Sequence, residues 1–595
     1  MTIAREVDVA SLLAEPHHDG SDAYVVQQPA ELGDEAVLRV RVPRGVERVF
    51  LRVVRDGEPR VLEAVVDEKG ERETWWRASF AATTPSARYR WLVGERWVNG
   101  AGAVARDVAD ADDFVLSLDR GGPQWHLGSV VYQIFPDRFA TSGLGVDAPK
   151  WAIRREWSEL PTGRGRATPV ELFGGDLPGV EQHLDHVEDL GASAIYLTPI
   201  FPAGSTHRYD ASTFDRVDPL LGGDGALASL LRAAHDRGIR VVGDITPNHC
   251  GDGHDWFVAA RASTDAPERD FFWFDDRYDH GYASWWGVKS LPKFDWRSPE
   301  LRRRMLGVVR RWLDFGLDGW RVDVANMTGR FEDVDVNHDV ARAMRETVGD
   351  KLLVAEHFHD FRPDLQGGGW QGVMNYSGFL RPVWSWLADA GFELDPQIVA
   401  ARRNGVDTVA AMRTFRGGVP WPHVLHSWLL LDSHDSARFR TVAGSRERQL
   451  VGIGMQMTSP GVPMVFAGDE LGLEGAWGED ARRTMPWSDP ASWDTQLLDE
   501  YRTLIALRRS SDALARGGMR YAHVGDDAIA YLREFGDERL LCLASRASHA
   551  PLRLSLDALG ARELEPVYGA SAVVGDGDVL LPAEGPSFHV WRLNG

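Results

Sequence analysis

The sequence predicts an α/β protein: a closed (β/α)8 TIM barrel with an amino-terminal β-sandwich, an insertion after barrel strand three and a carboxyl-terminal all-β domain. Three observations predict it. Between residues 122 and 511, short and nearly all-apolar runs alternate with amphipathic stretches, as parallel strands covered on both faces require. Before them, runs such as Val37–Val42 and Val49–Val54 alternate apolar and polar residues between Gly, Pro and Asp turns, the pattern of a sandwich. After them, Ala528–Leu532, Leu540–Ala544 and His589–Leu593 alternate again and mark a smaller β domain.

The elements follow in chain order. The sandwich occupies residues 1–121 and ends at the turn Gly121-Gly122-Pro123. Barrel strands are expected near Val130–Phe135, Ala194–Leu197, Arg240–Asp244, Gly319–Val322, Leu352–Ala355, Val373–Asn375, Trp428–Leu431 and Pro463–Ala467. The connection from Asn248 to a helix around Ser298–Phe315 is too long for an ordinary βα loop. Its aromatic residues, among them Trp256, Phe271, Phe272, Tyr282, Trp285 and Trp286, suggest an insertion subdomain at about 250–297 with a functional role. A helix over Leu497–Arg509 closes the barrel, and residues 512–595 form the last domain.

Composition narrows the function. The chain of 595 residues suggests about four domains, or one large barrel with satellites. With 44% hydrophobic and 26% charged residues it is an ordinary globular protein. A net charge of −22 disfavours nucleic acid and anionic membranes as partners. Residues Met1–Asp22 lack the unbroken apolar stretch of a secretory signal, no run reaches the length of a membrane span, and Cys250 and Cys542 are the only cysteines. The expected location is therefore the cytoplasm. The 23 tryptophans supply flat faces on which sugars stack, or simply core volume.

Catalytic groups of barrels sit at the carboxyl ends of strands. Here those ends are acidic: Asp244 to Asn248-His249 after strand three, Arg321-Val322-Asp323 after strand four, Glu356-His357 after strand five and Asp432 to His434-Asp435 after strand seven. Arg321 and Asp323, two apart, point to the same side of their strand. Retaining cleavage of a glycosidic bond needs one carboxylate as nucleophile and one carboxylic acid as proton donor. Arg321 is expected to keep Asp323 ionised. Burial beside neighbouring carboxylates should keep Glu356 protonated, so that the two pKa values are pushed apart. His249 and His434 are placed to bond sugar hydroxyls.

These segments, with Tyr132–Phe139, Gly174–Leu177, His207-Arg208-Tyr209-Asp210, Leu291–Asp295, Met374-Asn375-Tyr376 and Gly468-Asp469-Glu470, resemble the signature segments of the α-amylase superfamily, glycoside hydrolase family 13. The resemblance runs from about Val130 to Arg509. It implies that Asp323 is the nucleophile, Glu356 the general acid/base and Asp435 the transition-state stabiliser. It further implies substrate contacts from His207, Tyr209, Asn248, His249, Arg321, His357, His434 and Arg438. Within the superfamily, the sandwich and Leu291–Asp295 resemble the neopullulanase, cyclomaltodextrinase and maltodextrin glucosidase group. Met327, where cyclomaltodextrinases usually carry an acid, and Asp295, where neopullulanases commonly carry Asn, depart from that pattern.

The implied reaction is hydrolysis of α-1,4 bonds in short maltodextrins or cyclic maltooligosaccharides, with transglycosylation when a sugar replaces water. One alternative is a hydrolase of cyclic or branched oligosaccharides with α-1,6 bonds; another, of a different class, is a non-catalytic glucan-binding protein. No cofactor or obligatory metal is needed, although a structural calcium would be compatible with the chemistry. In the resembling group the sandwich can pack over the active site of its own or a partner chain, so a homodimer through that domain is one expectation. Other signals lead elsewhere. Gly222–Gly225 and Gly174-Gly175 lack phosphate-loop spacing. Asp333–Asn337 imitates a calcium loop, but His338 stands where the turn glycine belongs. Cys250 has no base-and-orienter logic around it.

Overall fold

A computed structural model describes residues 12–393 and 401–595. Its centre is a closed barrel of eight parallel strands, Val131–Ile134, Ala194–Leu197, Arg240–Ile245, Gly319–Val322, Leu352–His357, Gly372–Asn375, Trp428–Leu430 and Val462–Phe466, each hydrogen-bonded to the next. The ring closes where Val131 pairs with Met464. Nearly every strand residue is buried, because helices cover the outside and side chains fill the inside. That two-sided burial is why these strands read as unbroken apolar runs.

The helix after the insertion shows how sequence sets an element. Ser298 caps it by accepting from the Leu301 amide, Pro299 occupies the first turn, and Leu301, Met305, Val308, Val309 and Trp312 form one buried stripe. The insertion itself has a core of its own, in which Phe257 meets Phe272 and Tyr282 edge-on with ring centroids 4.9 and 4.7 Å apart. An isolated bridge from His249 to Lys293 ties it back to the end of barrel strand three, and another from Ser284 to Pro292 closes it on itself.

Two antiparallel sheets make the amino-terminal sandwich, and strict alternation along Glu35–Pro43 places Leu38, Val40 and Val42 in its core. It leans on the flank of the barrel: Arg88 donates to Gln366 at 2.6 Å and Arg345 to the Gly121 carbonyl at 2.6 Å. Arg520 and Glu73 join it to the last domain at 2.7 Å. Among the described residues, none of the sandwich bonds to or stacks on the acidic cluster of the barrel. The carboxyl-terminal domain holds a five-stranded and a three-stranded sheet. Its Phe588 packs so closely on the barrel helix Arg446–Thr458 that a Cβ at Gly454 would come within 2.2 Å of the ring, which is why that helical position is glycine. Among the described residues no helix is long and apolar enough to cross a membrane.

Candidate active site

The barrel gathers its polar side chains at the carboxyl ends of the strands, and Arg321 is their hub. This fully buried guanidinium lies 2.9 Å from Asp323 Oδ1 through Nη1, 2.9 and 3.0 Å from the two Asp244 oxygens, and 3.0 Å from Glu356 Oε2 through Nη2. Tyr196 and Tyr209 donate to Asp244 at 2.5 and 2.9 Å. Asp323 Oδ2 is buried and has no partner. Beside this group, Arg482 donates to Asp435 Oδ1 at 3.0 Å and to the His434 carbonyl at 2.7 Å.

Four carboxyls thus face two guanidiniums, and the imbalance shows in their proton affinities. Burial raises Asp244 to about 6 despite Arg321. Burial and the neighbouring Glu356 push Asp323 well above the ordinary range. Burial and Asp435 raise Glu356 as well, against the pull of Arg321. Only Asp435 is lowered: burial works against it, but His434, Arg482 and Arg321 outweigh burial. The expectation that Arg321 singles out Asp323 for ionisation is therefore corrected. The arginine is shared by three carboxyls, so its pull does not offset burial at either Asp323 or Glu356, and both are raised.

The histidines are neutral donors. Burial takes His434 down to about 3, with Arg482 and Arg321 adding to the effect and Asp435 opposing it. Gln133 donates to His434 Nδ1 at 2.7 Å, so the Nε2–H faces Tyr209 Oη at 2.7 Å and Asp435 at 3.2 Å. His249, likewise at about 3 through burial and Lys293, accepts from Asn248 at Nδ1, which leaves its buried Nε2–H without a partner and ready for a substrate hydroxyl. His207 accepts the Tyr209 amide at Nδ1, 3.1 Å away, and burial puts it at about 3.

A family model described as Alpha amylase, catalytic domain, matches residues 133–521, from barrel strand one into the first strand of the last domain. The chain belongs to the α-amylase family. It is 33% identical to a cyclomaltodextrinase of Geobacillus thermopakistaniensis (strain MAS1) over 74% of this chain and 72% of that one. It is 32% identical to neopullulanase 2 of Thermoactinomyces vulgaris over 88% of each. Among solved structures, the cyclic α-maltosyl-(1→6)-maltose hydrolase of Arthrobacter globiformis, in complex with cyclic α-maltosyl-(1→6)-maltose, is similar with a TM-score of 0.67 and 31% identity, covering 79% of this chain and 100% of that chain.

In this α-amylase family barrel, Asp323, Glu356, Asp435, His207, Tyr209, His249, Arg321 and His434 come together around one cleft. Asn248 stands behind it: its side chain holds the His249 ring and accepts from the buried ammonium of Lys293. Two sequence expectations are not met. His357 follows Glu356 on the same strand and so turns to the other face, where Asp364 takes its ring at 2.9 Å. Arg438, 1% exposed, spends its donors on Asp469 at 2.7 Å and on the carbonyls of Phe466, Ala467 and Ala481, at the carboxyl end of the last barrel strand. Tyr196 and Gln133 were missed. Each is a polar-tipped residue inside an otherwise apolar strand, and that signal could have found them. Arg482 and Lys293 arrive on loops, with no periodicity to announce them. Lys293 is 1% exposed and has no carboxylate partner, donating only to Asn248 and to the Met327 carbonyl at 3.0 Å; burial lowers it to about 7.

The insertion contributes an aromatic wall. Trp285 stacks on His249 with centroids 5.6 Å apart, and Trp286 stacks on Trp285 at 4.7 Å. Among the 23 tryptophans Trp286 is the exposed one, at 74%, and the others are buried or half-buried. Among the described residues, no group of three or more His, Cys, Asp or Glu is arranged to hold a metal ion.

Proposed function

We propose that the protein hydrolyses α-1,4-glucosidic bonds of short maltodextrins and cyclic maltooligosaccharides with retention of configuration. The observation that carries this reading is the sharing of one guanidinium by Asp323 and Glu356. A pair so close fits a nucleophile and an acid better than the roughly 6.5–9.5 Å spacing that leaves room for an attacking water. Asp323 Oδ2, unbonded and buried, attacks the anomeric carbon; Glu356 delivers the retained proton to the glycosidic oxygen as the C–O bond breaks. Asp435, the ionised member, stabilises the positive charge that develops on the sugar, while His207, His249 and His434 hold its hydroxyls. Water, deprotonated by Glu356, then releases the sugar from Asp323, and an acceptor sugar in its place gives transglycosylation. The His249–Trp285–Trp286 stack provides a platform for sugars bound beyond the scissile bond.

A second reading, preference for α-1,6 bonds in cyclic or branched oligosaccharides, is favoured by the likeness to the Arthrobacter globiformis hydrolase. Initial rates on maltotriose, cyclic dextrins, panose and pullulan separate the two. The first reading expects maltotriose and cyclic dextrins to lead, and proton NMR of the first product to show the α-anomer. Fastest release of products from panose would favour the second, and a β-anomer would exclude both. Two free, buried cysteines accord with a cytoplasmic location. The sandwich has exposed valines on two edge strands, Val61 and Val65 at 62% and 56%, a surface through which two chains can pair; sedimentation velocity tests that pairing.

A further inference from the structure

Six non-glycine residues have positive φ among the described residues, and three of them adjoin the cleft: Arg208 before Tyr209, Trp286 after Trp285, and Val324 after Asp323. Val324, at φ +45°, is the β-branched one, and a β-branched side chain persists there only when its surroundings over-determine the backbone. Those surroundings are visible on both sides. Its N–H donates to Glu356 Oε2 at 2.7 Å. Its carbonyl accepts from the amides of Met327 and Thr328 at 3.0 and 3.2 Å and from the Thr328 hydroxyl at 3.2 Å. That left-handed φ joins a peptide plane turned toward Glu356 to a tight turn pinned by residues 327 and 328.

The consequence falls on one oxygen of Glu356. Oε2 takes the Val324 N–H and lies 3.0 Å from the Arg321 cation, so two positive partners face it. A proton on Oε2 would meet both.

We propose that Val324 is a positioning residue whose strained main chain aims its N–H at Glu356 and confines the exchangeable proton of that carboxyl to Oε1. This rests on the reading of Glu356 as the general acid and base. In the first step the Oε1–H bond breaks as the glycosidic oxygen takes the proton, while Asp323 Oδ2 bonds the anomeric carbon and the leaving oxygen keeps the bonding electrons. In the second, the same Oε1 takes a proton from water as the water oxygen bonds the anomeric carbon and the bond from that carbon to Asp323 Oδ2 breaks, its electrons returning to the carboxylate. The N–H donor also makes Glu356 a stronger acid than burial alone would leave it.

The test replaces Val324 in the full-length protein by its α-hydroxy acid analogue, introduced by nonsense suppression. The substitution turns one N–H into an ester oxygen and leaves the side chain and chain length unchanged. We expect kcat to fall about ten- to a hundredfold with KM within about twofold, the loss of a hydrogen bond to a charged group. The alkaline limb of kcat/KM should rise by about one pH unit. An unmoved limb with kcat within twofold of wild type overturns the proposal. Glu356→Gln, assayed on an aryl α-glycoside with an activated leaving group, separates the two levels. If it abolishes the limb while the ester leaves the limb in place, only the role of Val324 fails; if it leaves the limb in place, the reading of Glu356 fails. Val324→Gly and Val324→Ala test the strain by itself. Glycine should give the higher Tm, the reverse of the usual order, and a lower Tm for glycine would show that there is no strain to aim the amide.

Discussion

Replacing Arg482 by Gln probes one of the side chains that sequence reasoning missed. Its guanidinium is 13% exposed and makes two bonds, to Asp435 Oδ1 at 3.0 Å and to the His434 carbonyl at 2.7 Å. Glutamine cannot span both. A hydrogen bond to a charged, largely buried partner contributes about 1.5–3 kcal/mol, and each 1.36 kcal/mol is tenfold in rate, so kcat/KM should fall by about 10- to 150-fold. The loss should fall mainly on kcat, because Asp435 is asked to stabilise charge that develops only in the transition state. Asp435 is held low by His434, Arg482 and Arg321 against the upward push of burial; without Arg482 its proton affinity rises, and the acidic limb of the profile should move to higher pH. Arg482→Lys keeps the charge without the two-pronged reach and should lie between wild type and Gln. Initial rates on maltotriose and an aryl α-glucoside, measured from about pH 4 to 9, report both effects. A Gln variant within twofold of wild type, with the acidic limb unmoved, would refute the assignment of Asp435 as an ionised stabiliser held by Arg482.

Asp323→Asn should lower kcat by roughly 10⁴-fold or more while Tm stays level or rises, since one of the crowded buried carboxyls is neutralised; a tenth of wild-type activity would contradict the nucleophile assignment. Trp286→Ala, at a 74% exposed position, should leave Tm unchanged. It should raise KM for cyclic dextrins by about 2- to 12-fold, the range of a lost aromatic contact; an unaltered KM would remove the exposed indole from substrate binding. Stability should fall with acidification: His207, His249, His426 and His434 are buried near 3 in the folded chain, so the unfolded chain binds more protons below its ordinary value near 6.5. Their contribution is complete above that value and is lost progressively toward pH 3, and urea midpoints that stay flat across this window would show that these rings are not held neutral.

The barrel was legible because burial on both faces writes each strand as an apolar run; the eight expected strands overlap the observed ones with ends differing by a residue or two. Arg321 and Asp323 were legible because alternation alone puts them on one side of strand four. The same rule, applied to Glu356-His357, would have turned His357 away from the cleft. Arg438 was misplaced because the resemblance carries it along with the Asp435 segment, whereas its buried guanidinium is taken up by Asp469 and three main-chain carbonyls. The sharing of Arg321 by three carboxyls was not legible, because Asp244 and Glu356 converge on it from neighbouring strands and no spacing encodes that distance. Arg482 comes from a loop 47 positions beyond Asp435, and the left-handed Val324 is a property of the closed structure rather than of any residue pattern.

The central claim is a covalent glycosyl intermediate on Asp323, and it can be tested by trapping. Incubation with 5-fluoro-α-glucosyl fluoride, acid quench, proteolysis and mass spectrometry should find one glycosylated peptide, with the sugar on the Asp323 carboxyl and Glu356→Gln accumulating it when a fluoride leaving group bypasses acid assistance. Absence of any adduct while substrate turns over, or an adduct on Glu356 or Asp435 instead, would contradict the account.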